Sequence, residues 1–179
     1  VSLAMYQAAG ANALATGEST MLRGEATSNQ QSATNGGVFL TYFTAQKTET
    51  ITAVRTHTGS QAQVGATHCR IGVYEENIDG SLTLVAYATN DTSLWLATGT
   101  AYTTPMVASF VKTAGKRYAV ALHVLGTSTA PYFYGSAIPE SGTEPALGTV
   151  YASSGTINST VPASALTKSN KIHYAVLVP

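Results

Sequence analysis

The stretch "CRIGVYEENIDGSLTLVAYATNDTSLW", residues 69–95, consists of two alternating apolar and polar segments joined by an acidic turn. Successive side chains of a β-strand point to opposite faces of a sheet, so every second residue should lie on the same side. In the first strand, alternation places Cys69, Ile71 and Val73 on one face. In the second strand, it places Leu82, Leu84 and Ala86 on the face towards the core. The turn ends in Asp79-Gly80, where glycine tolerates a positive φ. The stretch therefore predicts a β-hairpin.

The acidic turn also raises two chemical alternatives. Glu75, Glu76 and Asp79 could supply calcium ligands, but calcium needs roughly six to eight converging oxygens, and this spacing matches no calcium-binding loop. Asp79 could instead pair with Asp91 as the two acids of a glycosidase. Turn carboxylates are more often Asx caps and solvated loop ends. We interpret both aspartates in this way and expect neither a metal site nor a catalytic pair here.

Composition limits the classes of partner. The 179 residues are enough for one domain with a core that needs no metal or disulfide. Only 10% of the residues are charged, against about 25% in typical soluble proteins, so hydroxyl and amide groups must cover much of the surface. Nine basic residues balance nine acidic ones without runs, which argues against nucleic acid and membrane surfaces as partners. Cys69 is the only cysteine, so no internal disulfide can form.

No segment of the chain predicts a membrane span or a secretory signal. The longest apolar run, residues 118–126, contains a histidine and is much shorter than the roughly 20 residues needed to cross a bilayer. The amino terminus has no basic segment followed by an apolar one. The opening residue Val1 indicates a processed chain or a fragment of a longer protein.

The chain has two regions of different pattern. Residues 1–37 are rich in Ala, Ser, Asn and Gln with little periodicity, and we predict an N-terminal arm or linker. Residues 38–179 contain short segments typical of strands, separated by turn residues. These segments are "VFLTYFTA", "TITAVRTHT", "THCRIGVY", "SLTLVAYA", "PMVASFV", "KRYAVALHVLG", "PYFYG" and "IHYAVLVP". No helical repeat is long enough for a crossover, so we predict an all-β fold, an antiparallel, jelly-roll-like β-sandwich over residues 38–179.

Alternation continues in two later segments and fails in one. The residues predicted to share a face are Tyr118, Val120, Leu122 and Val124 in one segment and Ile172, Tyr174, Val176 and Val178 in the other. Ile51 and Val54 are out of phase within their segment. That segment is therefore predicted to carry a β-bulge.

Residues that could carry chemistry are scattered. The histidines lie in separate predicted strands without the spacing of a zinc site: His57, His68, His123 and His173. His68 is adjacent to Cys69, so the two side chains point to opposite faces and cannot easily chelate one metal. No Gly-x-Ser-x-Gly sequence or glycine-rich phosphate loop occurs. We expect the histidines at sheet surfaces and a protein that is not an enzyme and uses no cofactor or metal.

The sequence "RIGVYEENIDGSLTLVAYATNDTSLW", with the later "TGTAYTTPM", "AGKRYAVALHVLG" and "VPASALTKSNKIHYAVLVP", resembles a β-sandwich domain of minor tail and other virion surface proteins of actinobacterial phages. The likeness covers residues 38–179. The positions of closest likeness are 70–74, 80, 82, 84–86, 115 and 117–119. Tyr87 stands where such proteins often have Arg, and the shared motifs specify a fold more than a ligand. The resemblance implies a phage-particle surface protein, assembled from several copies.

Two functions are compatible with this resemblance. The first is attachment, in which a tail-associated domain holds a glycan of the bacterial cell envelope against aromatic rings. The candidate ligand-binding residues are Trp95, Tyr102, Tyr132 and Tyr134. The second is decoration, in which the rings fill the core or a subunit interface and the domain stabilises the capsid or tail without a ligand. Enzymatic depolymerisation of the envelope is disfavoured because the acids are not arranged for it.

We favour attachment on the surface of the virion. The expected partners are copies of the chain itself, as a homo-oligomer with a trimer favoured, other virion proteins, and the envelope glycan. Single domains should bind weakly and gain strength when several copies act together. Because the chain is formally neutral, we expect a neutral glycan and little dependence of binding on salt.

Overall fold

The computed structural model describes residues 17–31, 36–138, 145–153 and 155–179, and these residues form an all-β fold. The strands are β1 (Glu18–Ser19), β2 (Thr27–Gln31), β3 (Gly37–Thr44), β4 (Glu49–His57), β5 (His68–Glu76), β6 (Leu82–Tyr87), β7 (Ala101–Lys112), β8 (Arg117–Leu125), β9 (Tyr132–Ala137), β10 (Gly148–Ala152), β11 (Thr160–Val161), β12 (Thr167–Lys168), β13 (Lys171–His173) and β14 (Ala175–Val178). The helical elements of the described residues are two 3-10 turns, η1 (Arg23–Glu25) and η2 (Ala163–Ala165). None of the described helices is long and apolar enough to span a membrane.

The strand order is that of a jelly roll, as predicted. Strands β3 and β8, β4 and β7, and β5 and β6 pair antiparallel as successively nested hairpins. The nested pairs alternate between two sheets, one in the order β1-β14-β4-β7 and the other containing β6-β5-β8-β3. Strands β11, β10 and β12 extend the second sheet to seven strands, and β13-β9-β2 form a small third sheet. The predicted antiparallel β-sandwich is therefore confirmed.

The main core lies between the two large sheets. The predicted face of β5 is buried there, with Cys69, Ile71 and Val73 fully inaccessible to solvent. The predicted face of β8, from Tyr118 to Val124, packs against it. The predicted bulge is present in β4, where the register with β7 shifts between Ile51 and Ala53 and brings both Ile51 and Val54 into the core.

A second apolar cluster covers the outer face of the seven-stranded sheet. Tyr74 of β5 is fully buried in it, although it points away from the main core. Ile157, from the segment after β10, covers this face, and Val161 of the edge strand β11 packs in the same cluster. A Cβ at Gly72 would lie 2.6 Å from Ile157 Cδ1, so glycine leaves the room that the covering segment needs. Both faces of β5 are buried as a result.

Two of the predicted faces are wrong in part. Leu82 and Leu84 pack in the second cluster, whereas Ala86 packs in the main core, because a register shift between Val73 and Tyr74 changes the phase of β6. The segment 172–179 does not form one strand. It leaves the small third sheet after His173 and continues as β14 in another sheet, so Ala175 and Leu177 face the core instead of the predicted alternate residues.

The acidic turn is a hairpin loop, as predicted. Gly80 has a φ of 78°, and Asn77 N donates a hydrogen bond to Ser81 O at 2.8 Å. Asp79 Oδ1 accepts hydrogen bonds from the Ser81 backbone N at 3.0 Å and from Ser81 Oγ at 2.6 Å, which is an Asx cap. These hydrogen bonds lower the pKa of the Asp79 carboxyl. Asp91 caps the later turn in the same way through Ser93.

The described part of the predicted arm, residues 1–37, pairs with the sandwich. Strand β1 pairs with β14, and β2 pairs with β9. Thr20 Oγ1 donates to His173 O at 2.7 Å and accepts from Ala175 N at 3.0 Å. Residues 1–16 and 32–35 lie outside the described residues. A strand of two residues has no periodicity, so the sequence alone did not indicate β1.

Candidate functional site

Trp95 lies inside the sandwich and has no exposed surface. Its backbone has a φ of 65°, in the left-handed region, which is costly for a bulky side chain and must be stabilised by packing of the ring. The indole stands edge-on to Phe133, with ring centroids 4.9 Å apart, and its Nε1 donates to Thr56 Oγ1 at 3.0 Å. A ring with no exposed face cannot stack on a sugar. The prediction of Trp95 as a ligand-binding residue is corrected accordingly: it is a core residue.

Tyr102 is half-buried and packs against the main core from β7. Its hydroxyl accepts a hydrogen bond from Ala97 N at 2.9 Å. The side chain therefore holds the loop between Trp95 and β7 in place. We leave it out of the candidate site.

Tyr132 and Tyr134 lie on the outward face of β9. Phe133 between them is fully buried, and both tyrosines are half-buried. Strand alternation directs these two rings to the same side of the small sheet. Of the four predicted ligand-binding residues, the structure brings only these two together.

Tyr134 belongs to a cluster that we call the Arg–Tyr patch, made of Arg23, Arg55, His57, Tyr134 and Tyr174. The His57 ring lies 6.1 Å from the Tyr134 ring and 5.9 Å from the Tyr174 ring, measured between centroids. The Arg23 guanidinium stands over both tyrosines, 4.7 Å from the centroid of Tyr134 and 5.7 Å from that of Tyr174. These distances are in the range of cation–π contacts.

Three elements hold the patch together. Arg55 and His57 are two residues apart on β4 and so point to the same side of the four-stranded sheet. Tyr174 lies between β13 and β14, where the chain passes from the small sheet to the large one, and its N donates to Tyr134 O at 2.8 Å. Arg23 comes from η1, in the described part of the predicted arm. The patch therefore forms where the arm crosses the boundary between two sheets.

The electrostatics of the patch are set by burial and by its two arginines. Burial, and then the positive charges of Arg23 and Arg55, lower the pKa of His57. Burial raises the pKa of Tyr174, and the same two charges oppose that shift. The His57 imidazole is therefore neutral at neutral pH, and the buried Tyr174 phenol keeps its proton. Such groups can stack on a sugar ring and donate hydrogen bonds to its oxygens.

Sequence reasoning missed Arg23, Arg55, His57 and Tyr174 as a group. His57 and Tyr174 were placed in predicted strands, but their contact depends on β14 pairing with β4, which no local pattern specifies. Arg23 was placed in the arm. The sequence did contain one indication of the patch: Arg55 and His57 are two residues apart in a predicted strand, so their side chains share a face.

The carboxylates of the opening stretch have structural partners elsewhere. Glu75 pairs with Lys116 at 2.5 Å, and Glu76 pairs with Arg117, also at 2.5 Å. Arg117 in addition lies over the Tyr42 ring, 4.4 Å from its centroid. These contacts join β5 to the start of β8. The turn is a structural bend with ion pairs at its base.

Two of the four histidines are not at the sheet surface, so that expectation was wrong. His123 has no exposed surface. His173 is 1% exposed and contacts the rings of Phe39 and Phe133. Cys69 is buried as well, which raises the pKa of its thiol to about 12. Within the described ranges, no group of three His, Cys, Asp or Glu side chains could hold a metal ion.

Comparison with other proteins does not assign a function to the Arg–Tyr patch. No protein-family model matches the chain, and no curated protein matches it. The function must therefore be argued from the residues and the geometry of this fold.

Proposed function

We propose that this chain is a non-enzymatic phage virion surface protein, associated with the tail, whose jelly-roll domain contributes to attachment to a glycan of the bacterial cell envelope. The observation that carries the proposal is the pair of outward tyrosines, Tyr132 and Tyr134, with Tyr134 held in the Arg–Tyr patch. The sequence resemblance to virion proteins of actinobacterial phages supports the particle-surface location.

The patch has the chemistry that glycan binding needs. Sugar rings present C–H groups on one face, which pack on aromatic rings, and hydroxyls at their edges, which need hydrogen-bond partners. Tyr134 is half-buried on a paired strand, so its ring is fixed before the ligand arrives and little side-chain entropy is lost on binding. Arg55 and His57 place donors beside it.

Weak single sites are sufficient if the protein is assembled in several copies. Linking sites in one particle raises avidity by about a hundredfold or more without any new contact. The proposed assembly is a homo-oligomer, with a trimer favoured, attached to other virion proteins. No cofactor is required for this activity.

A specific observation favours the second candidate, decoration of the capsid or tail. Strand β7 is an edge of the four-stranded sheet, and Val107 and Val111 on it are each more than half exposed. Exposed apolar side chains on an unpaired edge suit contact with a neighbouring subunit. The two candidates differ in whether the Arg–Tyr patch binds a ligand.

The test compares two tyrosines in a binding assay on immobilised actinobacterial cell-wall polysaccharide, with the protein displayed in several copies. Tyr134→Ala should weaken binding roughly five- to tenfold, because it removes the stacking surface. Tyr87→Ala is the matched control, since Tyr87 is 43% exposed on β6 of the seven-stranded sheet, away from the small sheet that carries Tyr134. This variant should bind as the wild type does. Thermal unfolding checks that both variants are folded. Normal binding by folded Tyr134→Ala and Tyr132→Ala variants would favour decoration.

A further inference from the structure

The basic side chains of the described residues differ in how their charge is balanced. Four of them form ion pairs with glutamates: Lys47, Lys112, Lys116 and Arg117. Arg23 and Arg55 form no ion pair with any carboxylate in the described part of the chain. Two uncompensated charges therefore lie in one patch of a chain whose net charge is zero.

Both guanidinium groups are held in place with donors to spare. Arg23 is positioned over the faces of Tyr134 and Tyr174, which leaves the N–H groups at its edge free of those rings. Arg55 donates from Nε to Thr103 Oγ1 at 2.9 Å. A guanidinium has five N–H donors in a planar fork, so this bond leaves donors at its outer end.

The positive charges of the two arginines act on the same two rings of the patch. Both charges act on His57 and both act on Tyr174. No carboxylate among the described residues contributes to the pKa shift of either ring. The surroundings of these two rings thus favour negative charge.

From this geometry we propose that the glycan bound at the Arg–Tyr patch carries an anionic group, a carboxylate or a phosphate, which binds Arg23 and Arg55 while a sugar ring packs on the part of the Tyr134 ring that Arg23 does not cover. The inference rests on the proposed function, because it names the charge class of the ligand at the same site. A planar fork matches both carboxylate and phosphate oxygens with two parallel hydrogen bonds. The shared chemistry is an oxyanion attached to a sugar, from a uronic acid or from a sugar-phosphate polymer.

The inference changes one expectation drawn from the sequence. The zero net charge of the chain predicts that binding depends little on salt. The effect of salt, however, is set by the charges at the binding site and not by the net charge of the chain. Binding of an anionic glycan should weaken about tenfold between low salt and 0.5 M salt, where screening reduces the attraction to exposed arginines.

The test is a binding assay of the full chain on bacterial polysaccharides of three classes: neutral, uronic-acid-containing and phosphodiester-containing. We expect binding to one or both anionic classes at least about tenfold above the neutral class, from charge-assisted hydrogen bonds. Arg23→Gln and Arg55→Gln should each reduce anionic binding roughly five- to tenfold. Arg70→Gln is the matched control, because Arg70 also has no ion pair with a described carboxylate but lies in the seven-stranded sheet.

The outcomes separate this inference from the proposed function. Binding to neutral polysaccharide that equals or exceeds anionic binding, and that Tyr134→Ala abolishes, overturns the anionic ligand and leaves the glycan site standing. Anionic binding that Arg70→Gln weakens as much as the patch variants do also overturns it. Binding to none of the three classes overturns both. Preference between the uronic acid and the phosphodiester polymer identifies the source of the oxyanion.

Discussion

At the scale of single residues, burial decides which side chains are available for function. In β9 the structure places Phe133 inward and the neighbouring tyrosines outward, as the alternation of a single strand requires. Alternation does not apply to Trp95, a loop residue with a positive φ whose ring packs inside the sandwich. This backbone conformation depends on contacts of the indole in the core, with the Phe133 ring and the Thr56 hydroxyl.

His123 gives a prediction about acid stability. Burial, and then the nearby His68 and Arg70, lower its pKa to about 4 in the folded state, against about 6.5 for an unperturbed histidine. Below pH 6.5 the unfolded chain binds a proton that the folded chain does not, so stability is complete above that pH and is lost as the pH falls towards 4. The loss attributable to His123 should reach at most about 3 kcal/mol.

Urea unfolding of the wild type and of His123→Gln between pH 7 and pH 4.5 measures this contribution. The variant should lose less stability than the wild type over that interval, because it has no imidazole to protonate. Equal losses in the two proteins would show that His123 titrates normally.

At the scale of elements, the sequence predicted where strands form better than which strands pair and which segments cover them. The hairpin of β5 and β6 follows from alternation and a turn with glycine, both of them local. The covering of β5 on its outer face by Ile157 is not local, and neither is the pairing of β1 with β14. The burial of Tyr74 depends on this covering segment, so alternation within β5 could group its residues by face but could not show that both faces are buried.

Lys112, at the end of β7, gives a prediction about how three strands are joined. Its side chain has no exposed surface and lies 2.7 Å from Glu18 of β1 and 3.4 Å from Glu49 of β4, while its Nζ donates to Lys47 O at 2.8 Å. Lys112→Met leaves two carboxylates without their shared cation and should lower the free energy of unfolding by about 3 kcal/mol.

Lys47→Met is the control for this experiment, because Lys47 pairs with the same Glu49 but its side chain is 54% exposed. An exposed ion pair contributes at most about 1 kcal/mol, so this variant should be nearly as stable as the wild type. Both values come from chemical denaturation at neutral pH. Similar small losses for the two variants would contradict a structural role for the buried pair.

At the scale of the whole molecule, the fold explains how a chain with few charges can present a charged site. Ion pairs in the described residues use cations just before β4, at the end of β7 and at the start of β8, whereas the arginines of η1 and β4 form no ion pair there. Net charge and composition could not show this separation, because it arises from the folding of the arm against β9 and β14. The proposed ligand binding is on that side of the jelly roll.

The most direct test of this placement is backbone amide NMR of the full chain titrated with soluble actinobacterial cell-wall polysaccharide. The account predicts that chemical-shift changes concentrate at the patch, at residues 23, 55–57, 132–135 and 174, and are lost in Tyr134→Ala. Changes that instead follow the open edge of β7 around Val107 and Val111, or the absence of any change at saturating polysaccharide, would contradict attachment through the Arg–Tyr patch.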